Sequence, residues 1–363
     1  MGQIKNFLGT KWGIVSVGAF IGVFAPLLQK WGNPGNMGVC VACFERDIAG
    51  GLGLHRAAVV QYIRPEIIGF VIGALVAAYA FREFRPRAGS APIVRFVLGI
   101  FAMIGALVFL GCPWRAMLRL TGGDGNAILG LLGLVVGIWI GTFFLKGGYN
   151  LGRSKETYAS VGWLMPLTMA GFLVFLLLFP QVEGEAKSGI LLYSLKGPGA
   201  MHAPVLVSLL VGLAIGFLAQ RSRFCTMGAF RDLILFRIPY LFYGVLALIV
   251  FAFVTNLIVG QFHAGFAGQP VAHTLHVWNF GGMVLAGLAF CLAGGCPGRQ
   301  LFLAGEGDGD AAVFVWGMIV GAGFAHNFGL ASSPKGVGPH GIAAVIIGLA
   351  VCAFIGLTMR QKA

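Results

Sequence analysis

Cys40 and Cys225 are each followed, after five intervening residues, by an Arg-Asp pair, Arg46-Asp47 and Arg231-Asp232. Cys112 and Cys296 each stand in a Gly-Cys-Pro-x-Arg motif, Gly111-Cys112-Pro113-Trp114-Arg115 and Gly295-Cys296-Pro297-Gly298-Arg299. Thiols can donate weak hydrogen bonds, bind soft atoms or exchange disulfides. Proline is favoured at the first helical position, which puts the preceding cysteine on the helix N-cap. A sulfur there lies near unpaired backbone N–H groups and the positive end of the helix dipole, a place that attracts anions. Arg115 and Arg299 fall within the first turn and add positive charge. Cys40 and Cys225 also precede short segments, which run to Gly50-Gly51 and to Pro239. Both are too short to cross a bilayer and read as re-entrant or interfacial half-helices.

The motifs form a repeat. Cys40 and Cys225 are 185 residues apart, while Cys112 and Cys296, like Asp124 and Asp308 of two Gly-Asp-Gly triplets, are 184 apart. Three motifs sharing one offset mark an internal duplication. The Arg-Asp pairs read equally as structural ion pairs or substrate groups, and the Gly-Asp-Gly aspartates as turn formers. Cys43 makes a Cys-x-x-Cys with Cys40 and shares its helix face, a spacing suited to a redox pair or a soft metal. The second copy carries Gly228 at that position, so Cys43 is an accessory thiol. Cys291 and Cys352 have no repeat partner and read as small buried hydrophobes. His263, His273 and His276 share a loop that reads as solvated, with no second cluster to complete a metal site; no metal or cofactor is expected.

The elements that position these thiols belong to a membrane protein. Of the 363 residues 58% are hydrophobic and only 10% charged, against roughly a quarter charged in a soluble domain. The 58 glycines suit closely packed membrane helices. Long apolar stretches predict about ten spans, near 14–30, 66–81, 96–111, 126–145, 159–179, 203–220, 239–259, 277–294, 311–329 and 341–359. The first lacks a small-residue cleavage site and reads as a retained helix. The net charge of +13 reads as the basic bias of cytoplasmic loops, or as a field drawing anions to a pore. No basic stripe interleaved with aromatics points to nucleic acid.

Lys and Arg concentrate in 82–95, 146–155, 221–237 and the tail with Arg360 and Lys362. In a ten-span chain these segments and the N-terminus fall on one side, which the positive-inside rule makes cytoplasmic. One span, near 159–179, separates the copies and inverts the second. The expected fold is therefore an all-α polytopic membrane protein of two inverted repeats with cysteine-bearing half-helices. Its parts are a first repeat (1–157), a linker helix and external loop (158–201), a second repeat (202–335) and a C-terminal helix (336–363). Cys40 and Cys112 then face outward and Cys225 and Cys296 inward, with both termini cytoplasmic. Inverted repeats commonly build transporters with the path at the repeat interface.

At Cys225 to Asp232, at Gly295-Cys296-Pro297 and at their first-half counterparts the sequence resembles the YeeE/YedE sulfur-transport family of bacterial inner-membrane proteins. The likeness is nearest to the YedE-type branch described as selenium transporters, which Lys30 to Met37 and Tyr62 to Ile67 resemble. The resemblance implies an hourglass-like fold and uptake rather than catalysis. It implies that Cys40, Cys112 and Cys296, with Cys225 as repeat partner of Cys40, bind a small anion and pass it on through S–H hydrogen bonds. It also implies a small cytoplasmic sulfurtransferase-like partner. The expected function is uptake of a small selenium- or sulfur-containing anion, with Cys43, Arg46, Arg115, Arg231 and Arg299 beside the four thiols. The alternatives are a thiosulfate-specific permease and a membrane thiol oxidoreductase using Cys40 and Cys43.

Overall fold

A computed structural model describes residues 2–360, so Lys362 lies outside the described residues. The chain is built from helices, with two short two-stranded ribbons in its loops. In the first half these are α1 (Gly2–Leu8), α2 (Lys11–Lys30), α3 (Val41–Gly51), α4 (Pro65–Ala80), α5 (Pro92–Phe109), α6 (Pro113–Thr121) and α7 (Asn126–Lys146). The linker helix is α8 (Ala159–Leu178). The second half holds α9 (Val205–Ser222), α10 (Thr226–Phe236), α11 (Tyr240–Ile258), α12 (His276–Ala293), α13 (Pro297–Gly305) and α14 (Gly309–Asn327), before α15 (Gly341–Thr358). Among the described residues nine helical stretches are long and apolar enough to span a bilayer, and the apolar α4 is shorter. The chain is a multi-pass membrane protein. The ten expected spans coincide with α2, α4, α5, α7, α8, α9, α11, α12, α14 and α15.

The four cysteine-led segments are short helices: α3 and α10 have 11 residues, α6 and α13 have 9. At 1.5 Å per residue each extends about 14–17 Å, roughly half a ~30 Å hydrocarbon layer.

The helix pairing carries a pseudo-twofold relation. By sequence offset α9, α10, α12, α13 and α14 repeat α2, α3, α5, α6 and α7, and α11 takes the place of α4. In the structure α2 packs on α11 and α4 on α9; α5 packs on α14 and α7 on α12. Every cross-pair thus occurs twice with the roles of the two copies exchanged. Equivalent helices run antiparallel. The end of α2 at Gly32 lies on His202, just before α9, while Arg221 near the end of α9 donates to the Lys5 carbonyl, just before α2. Likewise Arg95 near the start of α5 donates to the Ala293 carbonyl at the end of α12, and His273 ahead of α12 reaches the Val108 carbonyl near the end of α5. The second copy is therefore inverted.

The basic segments gather at one end. Arg87-Ala88 pairs with Lys155-Glu156, Tyr149 bridges to Arg360, and Arg223 and Lys5 both reach Glu83.

Association in lipid depends on close backbone packing rather than on a hydrophobic difference between helix and solvent. The α5–α12 crossing shows this. A Cβ at Gly105 would stand 2.5 Å from the Gly282 carbonyl oxygen, and one at Gly282 2.8 Å from that of Gly105. Backbone cannot yield as a flexible side chain can. Gly105→Val should therefore lower stability by about 1–3 kcal/mol, seen as a lower thermal midpoint in detergent; an unchanged midpoint would contradict this packing.

Candidate functional site

Each short helix starts at a cysteine N-cap, and the four thiols form two pairs. The Cys40 Sγ accepts from the Cys43 N–H at 3.4 Å, and the Cys225 Sγ accepts from the Gly228 N–H at 3.2 Å. Each sulfur thereby satisfies an amide that its own helix leaves open. Cys112 and Cys296 cap α6 and α13 with extended backbone and without a side-chain cap bond. Their sulfurs instead meet the thiol of the neighbouring short helix, Cys40–Cys112 at 3.8 Å and Cys225–Cys296 at 3.7 Å. All four are buried, and none is in a disulfide. The inverted repeat so creates two equivalent centres, each made of two helix N-termini and two thiols. An anion at either centre would meet S–H donors, open amides and the positive ends of two dipoles.

Arg115 is placed beside the first centre. Its guanidinium donates to the carbonyls of Asn36, Leu110, Pro270 and Val271, and to the Cys43 Sγ at 3.6 Å. These partners are carbonyls and a thiol rather than carboxylates, so the buried positive charge is not neutralised there. A cavity of about 430 Å³ opens against Asn36 and Pro270, two of the residues that hold Arg115, and is lined also by Gln29, His263 and Gln269.

Arg299, the counterpart, is held 3.9 Å from Glu306, and its Nη1 is buried without a protein partner. Glu306 belongs to a network at the basic end. Arg223 bridges Glu306 at 2.6 Å and Glu83 at 3.1 Å, and Arg87 reaches Glu306 and Asp308. Arg223 sits in left-handed conformation (φ 61°) between α9 and Phe224-Cys225. Burial disfavours the charge of Arg87, but Asp308 and Glu306 outweigh it and raise its pKa above the usual arginine value.

The Arg-Asp pairs are local ion pairs in both copies. Arg46 grips Asp47 through Nε (2.9 Å) and Nη2 (2.7 Å), and Arg64 takes the other carboxylate oxygen at 2.8 Å. Arg64 also donates to the carbonyls of Pro198 and Met201, tying the loop before α9 to α3. Beside this triad Tyr62 stacks on His202, with ring centroids 4.4 Å apart. Burial, reinforced by the charge of Arg64, lowers the His202 pKa, and burial also lowers that of His55. Arg231 pairs with Asp232 at 2.8 Å but is 30% exposed. It lines a cavity of about 260 Å³ with Arg95, Tyr149 and Cys291. The structure therefore gathers Cys40, Cys43, Cys112 and Arg115 at one centre and Cys225 and Cys296 at the other, while Arg46 and Arg231 are engaged by their aspartates.

The Gly-Asp-Gly aspartates do more than make turns. Asp308 caps α14 through the Ala311 N–H, and Asp124 accepts from the Asn126 N–H and pairs with buried Arg119 at 2.6 Å. Sequence reasoning missed Arg64, Glu83, Glu306 and Glu45, the last with both carboxylate oxygens buried and unpartnered. Among the described residues no group of three His, Cys, Asp or Glu side chains is placed to hold a metal.

Residues 221–358 match the family described as Sulphur transport. The chain is 37% identical over 99 residues to the thiosulfate transporter TsuA of Spirochaeta thermophila (strain ATCC 700085 / DSM 6578 / Z-1203), covering 27% of this chain and 29% of that protein. It is 34% identical over 113 residues to the thiosulfate transporter TsuA of Escherichia coli (strain K12), covering 30% of each. The similarity thus spans less than a third of either relative's length.

The charge triad makes the most direct prediction for the site's frame. Asp47→Asn leaves Arg46 and Arg64 buried without a counter-charge, a change of about 3–5 kcal/mol. The variant should show a lower thermal midpoint and faster proteolysis in the loop at 181–204. Wild-type behaviour in both would show that the triad does not anchor that loop.

Proposed function

With the match over residues 221–358 and both relatives supporting the YeeE/YedE sulfur-transport family, we propose that this chain takes up a small selenium- or sulfur-containing anion across a bacterial inner membrane. The observation that carries the reading is the duplication of one device at two depths: a thiol pair set on two helix N-termini, 3.8 Å apart at one end and 3.7 Å at the other. The anion enters at Cys40 and Cys112 and leaves at Cys225 and Cys296. The basic end, carrying the N-terminus and Arg360, faces the cytoplasm under the positive-inside rule. A small sulfurtransferase-like protein receives the substrate there.

The chemistry follows from what each centre offers. Sulfur and selenium species carry a large, weakly hydrated chalcogen beside charged oxygens. Thiol S–H groups are weak donors that match the chalcogen, and they hold it without the strong binding that would trap it. The open amides and Arg115 or Arg299 offset the anion's charge in a low-dielectric interior. Transfer between equivalent sites requires no covalent bond. The thiols serve as hydrogen-bond donors, and the anion arrives and departs unchanged.

The oxidoreductase alternative needs Cys40 and Cys43 to exchange a disulfide. Cys40 has its sulfur against Cys112 as well as against Cys43, Cys43 also has its sulfur toward Arg115, and the inner centre carries Gly228 where Cys43 would be repeated, so a thiol pair of that kind exists at one end alone. That arrangement supports a binding role for Cys43, where an extra polarizable sulfur beside Arg115 favours the larger selenium atom.

Uptake by purified protein in liposomes tests the reading. Labelled thiosulfate should accumulate, and selenium compounds should compete. Cys112→Ala and Cys296→Ala should each reduce the initial rate roughly ten-fold, the effect of losing about 1.4 kcal/mol of hydrogen bonding. Undiminished uptake by the double variant at equal protein level would sink the relay.

A further inference from the structure

The two centres are related by symmetry, but the residues between them are not. Position 114, two residues after Cys112, is tryptophan; position 298, two residues after Cys296, is glycine. The structure shows why only one copy can carry a large side chain. The Trp114 ring lies across the start of the opposite short helix. A Cβ at Gly298 would stand 3.0 Å from its Cζ2 and 3.3 Å from its Cε2. Trp114 thus begins beside one thiol centre and ends beside the other. It also packs edge-on against Phe224, the residue before Cys225, with centroids 5.7 Å apart. Phe70 and Phe302 complete the surround at 5.8 and 6.2 Å.

This aromatic box holds one polar atom of the ring, the indole Nε1. It is buried without a hydrogen-bond partner, and the residue is 1% exposed. Leaving a buried donor unpaired is unfavourable by about 1–3 kcal/mol, and such donors are rare enough in folded proteins to require a reason. The ring atoms nearest Gly298 are Cζ2, Cε2 and Cη2; Nε1 is bonded to Cε2 and stands at the ring edge. An aromatic ring is negative on its face and positive at its edge, so that edge suits an anion.

We propose that Trp114 is a substrate-binding residue midway along the path, its Nε1–H donating to the anion as it passes from the Cys40/Cys112 centre to the Cys225/Cys296 centre. The proposal rests on the uptake reading above. The ring walls of Trp114, Phe70, Phe224 and Phe302 exclude water and hydrated ions. The single donor gives a small, loosely hydrated anion one hydrogen bond where the thiols of neither centre reach. With only one donor the mid-path site binds more weakly than either centre, which keeps the anion moving.

The test compares wild type and Trp114→Phe in liposomes with labelled thiosulfate. Phenylalanine keeps an aromatic wall and removes the N–H. The expected result is a roughly ten-fold slower initial rate at equal amounts of folded protein. A rate within two-fold of wild type overturns the role of Trp114 while leaving the uptake reading intact. Absence of uptake by wild type, for thiosulfate and for selenite alike, overturns that reading and this proposal with it. A second measurement does not depend on Trp114→Phe folding. The other six tryptophans are changed to Phe, and the protein is labelled with 5-fluorotryptophan. Its single fluorine resonance should shift on titration with thiosulfate and not with chloride; no shift overturns the proposal.

Discussion

A helix that begins inside a membrane bundle leaves backbone amides with nothing to bond, and lipid supplies no water to satisfy them. Four short helices of this chain begin there, and each begins at a cysteine. Two of the sulfurs close the amides of their own helix, and the other two sit against those sulfurs. The remaining amides and dipole ends form the positive lining of two centres. On the uptake reading proposed above, what looks like a folding liability serves anion binding, since no side-chain carboxylate completes these caps.

The frame that keeps them there is built differently at the two ends. At one end the Arg46–Asp47–Arg64 triad clamps α3 to the loop before α9. At the other, Arg223, Glu83, Glu306 and Arg87 tie α9, the start of α13's exit turn and the loop after α4. Between them the helices cross with glycine on glycine, which leaves no slack for a centre to drift. Trp114 departs from the symmetry of this frame because its ring already fills the space that a side chain at position 298 would need.

Much of this was legible in the sequence because its signals are local or periodic. The offsets of 184 and 185 residues identify the duplication, apolar run lengths locate the spans, and Cys-Pro places a thiol on a helix N-cap. Contacts across distant segments were not legible. Arg64 has no counterpart in the repeat motif, and its bond to Asp47 exists only because the chain folds back between α3 and α4. Glu83 and Glu306 meet through Arg223 across 140 and 83 residues. The Trp114/Gly298 difference reads in sequence as an ordinary divergence between copies, and acquires meaning only when the ring is seen against the opposite helix. The Arg-Asp pairs were ambiguous because adjacent charges can serve a ligand or one another, and the two copies differ in burial, with Arg46 enclosed and Arg231 30% exposed.

The account depends on the two thiol centres lying toward opposite sides of the membrane along one path. Modification by a small anionic methanethiosulfonate, applied separately to right-side-out and inside-out vesicles and read by mass spectrometry, measures this directly. The expected result is labelling of Cys40 or Cys112 from the outside and of Cys225 or Cys296 from the inside, with thiosulfate protecting both. Labelling of all four cysteines from a single side would contradict it.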